Sequence, residues 1–214
     1  MRRFILEANV ARYEGLLQTE LSAADRAMVR TLLLADRREL TLLEATQFGA
    51  SRRVHRAPEG DEEALSETFL REFANSPRIL MLLDPGPQLR IVDCNEALCR
   101  AAGRTRDYLV GKPMFEAFPE NPGDPMAEGA VGFYASLRIA AESRRAHAMK
   151  TRRYDVLLPD GSFEEHHWQA VNTPLFDAWG RLVYLMCEGR DVTEDVRSAA
   201  EGSGATMAET ERQG

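Results

Sequence analysis

The sequence lacks any uninterrupted apolar run of the roughly 18 residues that a membrane-spanning helix needs. The start of the chain also reaches Glu7 and Asn9 too early to form the apolar core of a signal peptide. These absences argue against an integral membrane protein, and they predict a soluble protein of the cytoplasm with no membrane partner.

Cysteine is scarce as well. The chain has three, at Cys94, Cys99 and Cys187, and an odd number does not suit a disulfide framework. We expect them to lie apart in the fold as reduced thiols, which agrees with a reducing compartment.

Recognisable catalytic motifs are also missing. The sequence shows no Ser-His-Asp arrangement, no Walker motif and no glycine-rich nucleotide loop. It ends shortly after Thr193, which leaves no room for an output enzyme. We therefore predict that the protein is not an enzyme.

Basic residues are fewer than acidic residues. The formal net charge is −7, from 27 Lys and Arg against 34 Asp and Glu. Because phosphate backbones are bound by basic surfaces, this balance argues against nucleic acid as a partner.

Three apolar-rich runs dominate the C-terminal half, at 148–158, 163–175 and 181–191. The first run stops at Pro159-Asp160-Gly161, where proline restricts φ and glycine accepts a positive φ. The spacing and the turn residues predict three consecutive antiparallel strands.

The third run is apolar on both faces, because successive strand side chains alternate. Alternation puts Val183, Leu185 and Cys187 on one face and Leu182, Tyr184 and Met186 on the other. A sheet of this kind needs cover on both sides. We expect that cover from a helix over 61–75, capped by Asp61, whose Leu65, Phe69 and Phe73 recur every four residues.

Residues 1–50 show the spacing of two amphipathic helices, the second starting at Ser22 with Asp25 three residues later. This helical hairpin is followed by a polar linker at 51–60. Three interpretations remain open for the hairpin: it docks on its own domain, it forms a four-helix arrangement in a homodimer, or it binds another signalling protein.

Several short segments occur in a familiar order. Two predicted strands at 79–83 and 89–93 precede Asn95-Glu96-Ala97, then Leu109-Val110-Gly111, and finally Asp191-Val192-Thr193-Glu194. The ordered set resembles a PAS domain over 76–197. The resemblance implies an α+β fold, in which a five-stranded antiparallel sheet carries helices on one face, here preceded by the hairpin. We expect the tail at 198–214 to be disordered.

The resemblance implies a sensory function. It favours a cytoplasmic sensor or adaptor in bacterial signal transduction, which relays the binding of a ligand or partner through flanking helices. The alternative is an interaction or dimerisation scaffold for a sensor kinase or regulator, with no small-molecule ligand. Either protein would form a homodimer, with a histidine kinase or another signalling protein as a further partner.

The resemblance also suggests site residues. The candidates for the cavity lining are Leu137, Ile139, Trp168 and Cys187. Those for coupling the domain to its flanking helices are Asn95, Asp191 and Thr193. Those for the outer sheet face and a dimer contact are Phe69, Phe73, Leu182, Tyr184 and Met186.

Cofactor chemistry has weak support. His147 is a haem candidate because haem-binding PAS domains carry their proximal histidine on the long helix, yet His147 falls at or past the end of that helix. Flavin-binding light sensors of the family carry a cysteine that this chain lacks between Cys99 and Cys187. His166 and His167 point to opposite faces of a strand, so they cannot share one metal ion. We expect no cofactor and no metal, with haem or flavin as the less favoured alternative.

Overall fold

The computed structural model describes residues 1–50, 54–57 and 65–200. The helices are α1 (Arg2–Leu17), α2 (Ala23–Ala45), α3 (Glu67–Asn75), α4 (Glu96–Ala102), α5 (Arg106–Leu109), α6 (Met114–Ala117) and α7 (Gly129–Ser143), followed by α8 at 193–200. The strands are β1 (Ile79–Leu83), β2 (Ile91–Cys94), β3 (His147–Ala148), β4 (Arg152–Arg153), β5 (Val156–Leu157), β6 (Phe163–Glu164), β7 (His167–Phe176) and β8 (Leu182–Asp191).

The main sheet is antiparallel in the order β2-β1-β8-β7-β3, and β4 also pairs with β7. Since β3 and β4 lie one after the other along β7, the sheet is five positions wide. This arrangement confirms the predicted α+β fold with an antiparallel sheet.

The predicted strand at 148–158 is interrupted. Ala148 pairs with Val171 and Arg152 pairs with Trp168, so four steps on one strand oppose three on the other. One extra residue in a ladder is a β-bulge, which separates β3 from β4. Beyond the bulge, β5 and β6 continue as a hairpin whose turn contains Gly161 at φ +87°, as its sequence predicts.

Strand β8 has two apolar faces, as expected, but Leu182 is not on the predicted one. Tyr184 and Met186 pack in the outer cluster around Phe73, whereas Leu182 is fully buried in the main core on the inner side. The reason is a second bulge: Tyr184 pairs with Leu175, but Leu182 pairs with Phe176, so Val183 is unpaired. The extra residue reverses the alternation at the start of the strand.

Helix α3 covers part of the outer face. Its cap is Ser66, whose Oγ accepts from Phe69 N at 3.2 Å, while the predicted cap Asp61 lies outside the described residues. The rings of Phe69 and Phe73 stack with centroids 6.2 Å apart, and Phe73 is buried against the sheet.

The N-terminal hairpin docks on the rest of its own chain. Helix α2 packs against α7, and the ring of Phe48 meets that of Tyr134 edge-on at 5.9 Å. The predicted linker is partly sheet: Leu182 N donates to His55 O at 2.7 Å, and Val54 is buried nearby. Residues 51–53 and 58–60 of that linker lie outside the described part of the chain.

The exit from the sheet is helical. Helix α8 continues through residue 200, so the predicted disorder is wrong for 198–200, and 201–214 lie outside the described residues. None of the helices in the described part of the chain has the length and apolar character needed to cross a membrane.

Candidate functional site

A cavity of about 140 Å³ lies between the inner face of the sheet and the helices that cover it. Its lining is mainly apolar and includes Met81, Leu98, Phe133, Met149, Ala170 and Cys187. Strand alternation explains the sheet's part, because Met81 and Cys187 are cross-strand partners that point to the same side.

Small residues leave the space open. Ala101 and Ala102 present only methyl groups from α4, and Gly129 presents none at the start of α7. A Cβ atom on Gly129 would lie 2.2 Å from Cδ2 of Tyr154, so glycine alone allows that ring to pack here. The Tyr154 hydroxyl donates to Phe118 O at 2.5 Å, and burial raises the pKa of this tyrosine.

The four predicted lining residues divide into three groups. Trp168 and Cys187 line the cavity. Leu137 is fully buried in the main core but does not reach the cavity. Ile139 is 43% exposed, so its prediction is wrong: two residues after Leu137 it lies about 200° around the helix, on the solvent side.

Asp155 is one of two acidic residues in the lining, the other being Glu188. The Asp155 carboxylate accepts two hydrogen bonds from Arg153, at 2.7 and 2.9 Å, and one from Asn121 at 2.7 Å. The bond from Arg153 lowers the pKa of Asp155, and this outweighs the opposite effect of burial.

Asn95 joins three elements. As the cap of α4 its Oδ1 accepts from Leu98 N at 3.0 Å, and it also accepts from Leu80 N of β1 at 3.2 Å. Its Nδ2 donates to the carbonyls of Phe73, Ser76 and Arg78, at 3.3, 3.1 and 2.7 Å. The residue is nearly fully buried, so it ties the end of α3 and the start of β1 to α4.

Asp191 and Thr193 meet at the start of α8. Both N and Oγ1 of Thr193 donate to Oδ1 of Asp191, at 2.9 and 2.5 Å, and Thr193 Oγ1 accepts from His167 N at 2.9 Å. The second oxygen of Asp191 contacts His166 Nδ1 at 2.7 Å. Burial would raise the pKa of Asp191, but these hydrogen bonds and His166 lower it.

Residues 73–197 match the family model described as the PAS fold. The chain belongs to the PAS fold family. The PAS fold is a signal-sensing module, and its match covers the sheet, the cavity and the start of α8.

Several solved structures are similar to part of this chain. The PAS domain of a Colwellia psychrerythraea protein is 18% identical, with 60% of this chain and 97% of that chain covered and a TM-score of 0.46. The PAS domain of BvgS from Bordetella pertussis is 18% identical, covering 66% and 96%, with a TM-score of 0.40. A light-oxygen-voltage domain studied with a flavin analogue is 19% identical, covering 68% and 99%, with a TM-score of 0.47. Among curated proteins none matches this chain.

The haem candidate His147 is not among the residues that line the PAS cavity. Helix α7 ends at Ser143, and His147 belongs to β3, where its Nδ1 lies 2.7 Å from Ser136 Oγ. Ser136 in turn accepts from Asn172 Nδ2 at 2.8 Å. This polar chain joins α7 to the sheet through Nδ1 of His147.

Two cysteines of the PAS domain are neighbours, contrary to expectation. Cys94 and Cys99 are buried with their sulfur atoms 3.8 Å apart. They occupy the positions just before the Asn95 cap and in the first turn of α4, where apolar side chains commonly pack together. Burial and the neighbouring Cys99 raise the pKa of Cys94 to about 12, so the Cys94 thiol is neutral.

Metal ligands are not gathered in the described part of this PAS chain, where no group of three His, Cys, Asp or Glu residues could hold an ion. His166 and His167 face different surroundings, as strand alternation predicts: His166 stacks on Trp168 at 5.8 Å. The contact between His166 and Asp191 was not predicted, because the sequence separates the two residues by most of a hairpin.

The stability of the PAS domain should depend on Asp155 in a pH-dependent way. A lowered folded pKa means that the ionised carboxylate stabilises the fold above the unfolded pKa of about 3.9, and that this contribution disappears as the pH falls through the folded pKa. We expect Asp155→Asn to unfold at lower urea than the wild type at pH 7, with the difference shrinking below about pH 4. Urea melts from pH 7 to pH 2.5 test this, and a difference that does not change with pH would contradict it.

Proposed function

We propose that this chain is a cytoplasmic PAS sensor in bacterial signal transduction that binds a small, mostly apolar molecule and relays its binding to a partner protein. The observation that carries the proposal is the apolar cavity between sheet and helices. Concave, largely apolar sites with few polar groups are the usual form of small-molecule sites.

The size of the cavity selects the ligand class. At about 140 Å³ it is close to an engineered protein cavity of about 150 Å³ that binds benzene. A single six-membered ring with one or two small substituents matches this volume. An isoalloxazine has three fused rings and a porphyrin is larger still, so the volume supports a small metabolite over flavin or haem.

The relay would run along β7 and β8. Trp168 contacts the ligand space, His166 stacks on Trp168, and His166 contacts Asp191. Asp191 and Thr193 bond to each other at the start of α8. A shift of the Trp168 ring on ligand binding would therefore reach α8 through groups in direct contact.

Small aromatic ligands and a cavity-filling variant test the proposed sensor function. Wild-type protein should melt at a higher temperature with millimolar benzene, toluene, phenol or indole, because a ligand that binds only the folded state stabilises it. Ala170→Leu should abolish this shift, since its side chain enters the cavity. Val171→Leu, on the opposite face and 38% exposed, should keep it.

If no probe in the panel shifts the wild-type melting temperature, the sensor proposal is wrong. The same follows if Ala170→Leu and Val171→Leu respond equally, because binding would then occur elsewhere.

A scaffold function is the second candidate. The outer surface of the docked hairpin exposes Phe4, Ile5, Met28 and Leu32, the first of them by 73%. Such apolar surface on paired helices supports a homodimer, or a complex with a histidine kinase or another signalling protein. Light scattering of the wild type and of Met28→Glu tests the homodimer: the wild type should have twice the chain mass and the variant the chain mass. A monomeric wild type would exclude it.

A further inference from the structure

One segment that contributes to the lining of the candidate cavity is tied to the N-terminal hairpin. Residues 118–128, here called the covering segment, contribute Phe118 and Pro119 to the lining. Arg38 of α2 reaches this segment from outside the PAS sheet. Its guanidinium donates to the carbonyls of Asp124 and Ala127, at 3.3 and 3.2 Å.

The same arginine forms an ion pair with Glu120. Nε of Arg38 contacts Oε2 of Glu120, and the Glu120 side chain is only 6% exposed. Oε1 of Glu120 accepts from Ala130 N at 2.8 Å, in the first turn of α7. Glu120 is therefore the point at which the hairpin, the covering segment and α7 are joined.

Removal of one partner of the Arg38–Glu120 ion pair has a high free-energy cost. A carboxylate that has been taken out of water needs its partner, and removal of that partner leaves an uncompensated buried charge. Separation of the hairpin from the domain would remove Arg38 from Glu120, Asp124 and Ala127 together. The covering segment would then lose the ion pair and both carbonyl hydrogen bonds that Arg38 supplies.

We propose that the N-terminal hairpin controls access to the cavity: while Arg38 is docked on Glu120 the covering segment is closed, and release of the hairpin opens it. The inference names the regulation of the site and rests on the proposed function for the identity of what enters. Coupling between two sites is reciprocal, so a ligand enclosed beneath the covering segment would also strengthen the docking of the hairpin.

Chemical labelling of the Cys187 thiol measures access to the cavity, and it needs no ligand. Cys187 lines the cavity and is buried, whereas Cys94 and Cys99 are buried outside the lining. Native protein is treated with the small reagent methyl methanethiolsulfonate, and the labelling rate of each cysteine is followed by peptide mass spectrometry. We expect Arg38→Gln to raise the rate at Cys187 by about ten-fold or more, because loss of the ion pair raises the population of the open state.

Arg37→Gln is the matched control. Arg37 is the next residue of α2, and it pairs with Glu14 inside the hairpin at 2.6 Å without contact to the covering segment. Cys187 of the Arg37→Gln variant should be labelled at the wild-type rate. Glu120→Gln breaks the same ion pair from the other side and retains an oxygen for Ala130 N, so it should behave as Arg38→Gln does even if that variant is poorly folded.

Two outcomes would overturn the inference. One is wild-type labelling of Cys187 in both Arg38→Gln and Glu120→Gln. The other is equal acceleration at Cys94, Cys99 and Cys187, which would indicate general unfolding instead of opening. Faster labelling at Cys187 alone, combined with no response to any aromatic probe, would retain the hairpin's control of access and reject the proposed sensor function.

Discussion

Replacement of Asn95 by alanine should lower the free energy of unfolding by about 3–5 kcal/mol, the largest loss that we expect from any single polar side chain here. The side chain accepts from two backbone N–H groups and donates to three carbonyls, and it is only 2% exposed. Alanine would leave several of these groups buried without partners. Urea unfolding at pH 7, followed by circular dichroism, measures the loss.

Two further variants test whether the loss of stability comes from the buried hydrogen bonds of Asn95. Asn75→Ala removes one exposed hydrogen bond, from Nδ2 to Arg71 O, and should change stability by less than about 0.5 kcal/mol. Asn95→Asp keeps the acceptor for Leu98 N and Leu80 N but places negative charge against three carbonyl oxygens. It should therefore be as unstable as the alanine variant at pH 7. A loss below about 1 kcal/mol for Asn95→Ala would contradict its role as the junction of α3, β1 and α4.

Gly129→Ala and Gly132→Ala should change stability in opposite directions. Both glycines lie in α7, and alanine is the better helix former by about 1 kcal/mol. A Cβ on Gly129 would lie 2.2 Å from the ring of Tyr154, whereas one on Gly132 would be 3.5 Å from its nearest neighbour. We expect Gly129→Ala to destabilise by about 1–3 kcal/mol through overpacking, and Gly132→Ala to stabilise by about 0.5–1 kcal/mol.

The Gly129 variant should also change the cavity. Displacement of Tyr154 would break its hydrogen bond to Phe118 O in the covering segment. Cys187 of Gly129→Ala should therefore be labelled faster than that of Gly132→Ala, in the same thiol assay. Equal melting temperatures for the two variants would show that Tyr154 can move aside freely, and that Gly129 does not shape the site.

Alternation along a strand explains why two of the cavity residues suggested by the resemblance do line the cavity. Trp168 and Cys187 are on the inner face because they keep the parity of uninterrupted strand segments. The same reasoning failed for Leu182, because the unpaired Val183 reverses the parity and no residue type in that stretch signals a bulge. The prediction for Ile139 was wrong for a related reason. The helix was recognised, but the rotation of the helix about its own axis depends on contacts with the sheet.

Local chemistry explains why a helix cap and a hairpin turn of the PAS domain were predictable. A cap such as Asn95 and a turn such as that at Gly161 act within a few residues of the chain, so their sequence carries the information. The partners Arg38 and Glu120 are 82 positions apart, by subtraction of their residue numbers, and nothing near either one indicates the other. The proximity of His166 to Asp191 has the same origin in strand pairing.

The sequence by itself determined the class of the fold, the presence of the N-terminal helices and the PAS family, because these follow from periodicity, turn chemistry and an ordered set of short motifs. Only the tertiary structure decided where the hairpin docks, which side chains enclose the cavity and how the covering segment is held. Those features depend on bulges, on the rotation of helices and on contacts between distant residues, and each of these is set by packing over the whole domain instead of by neighbours along the chain.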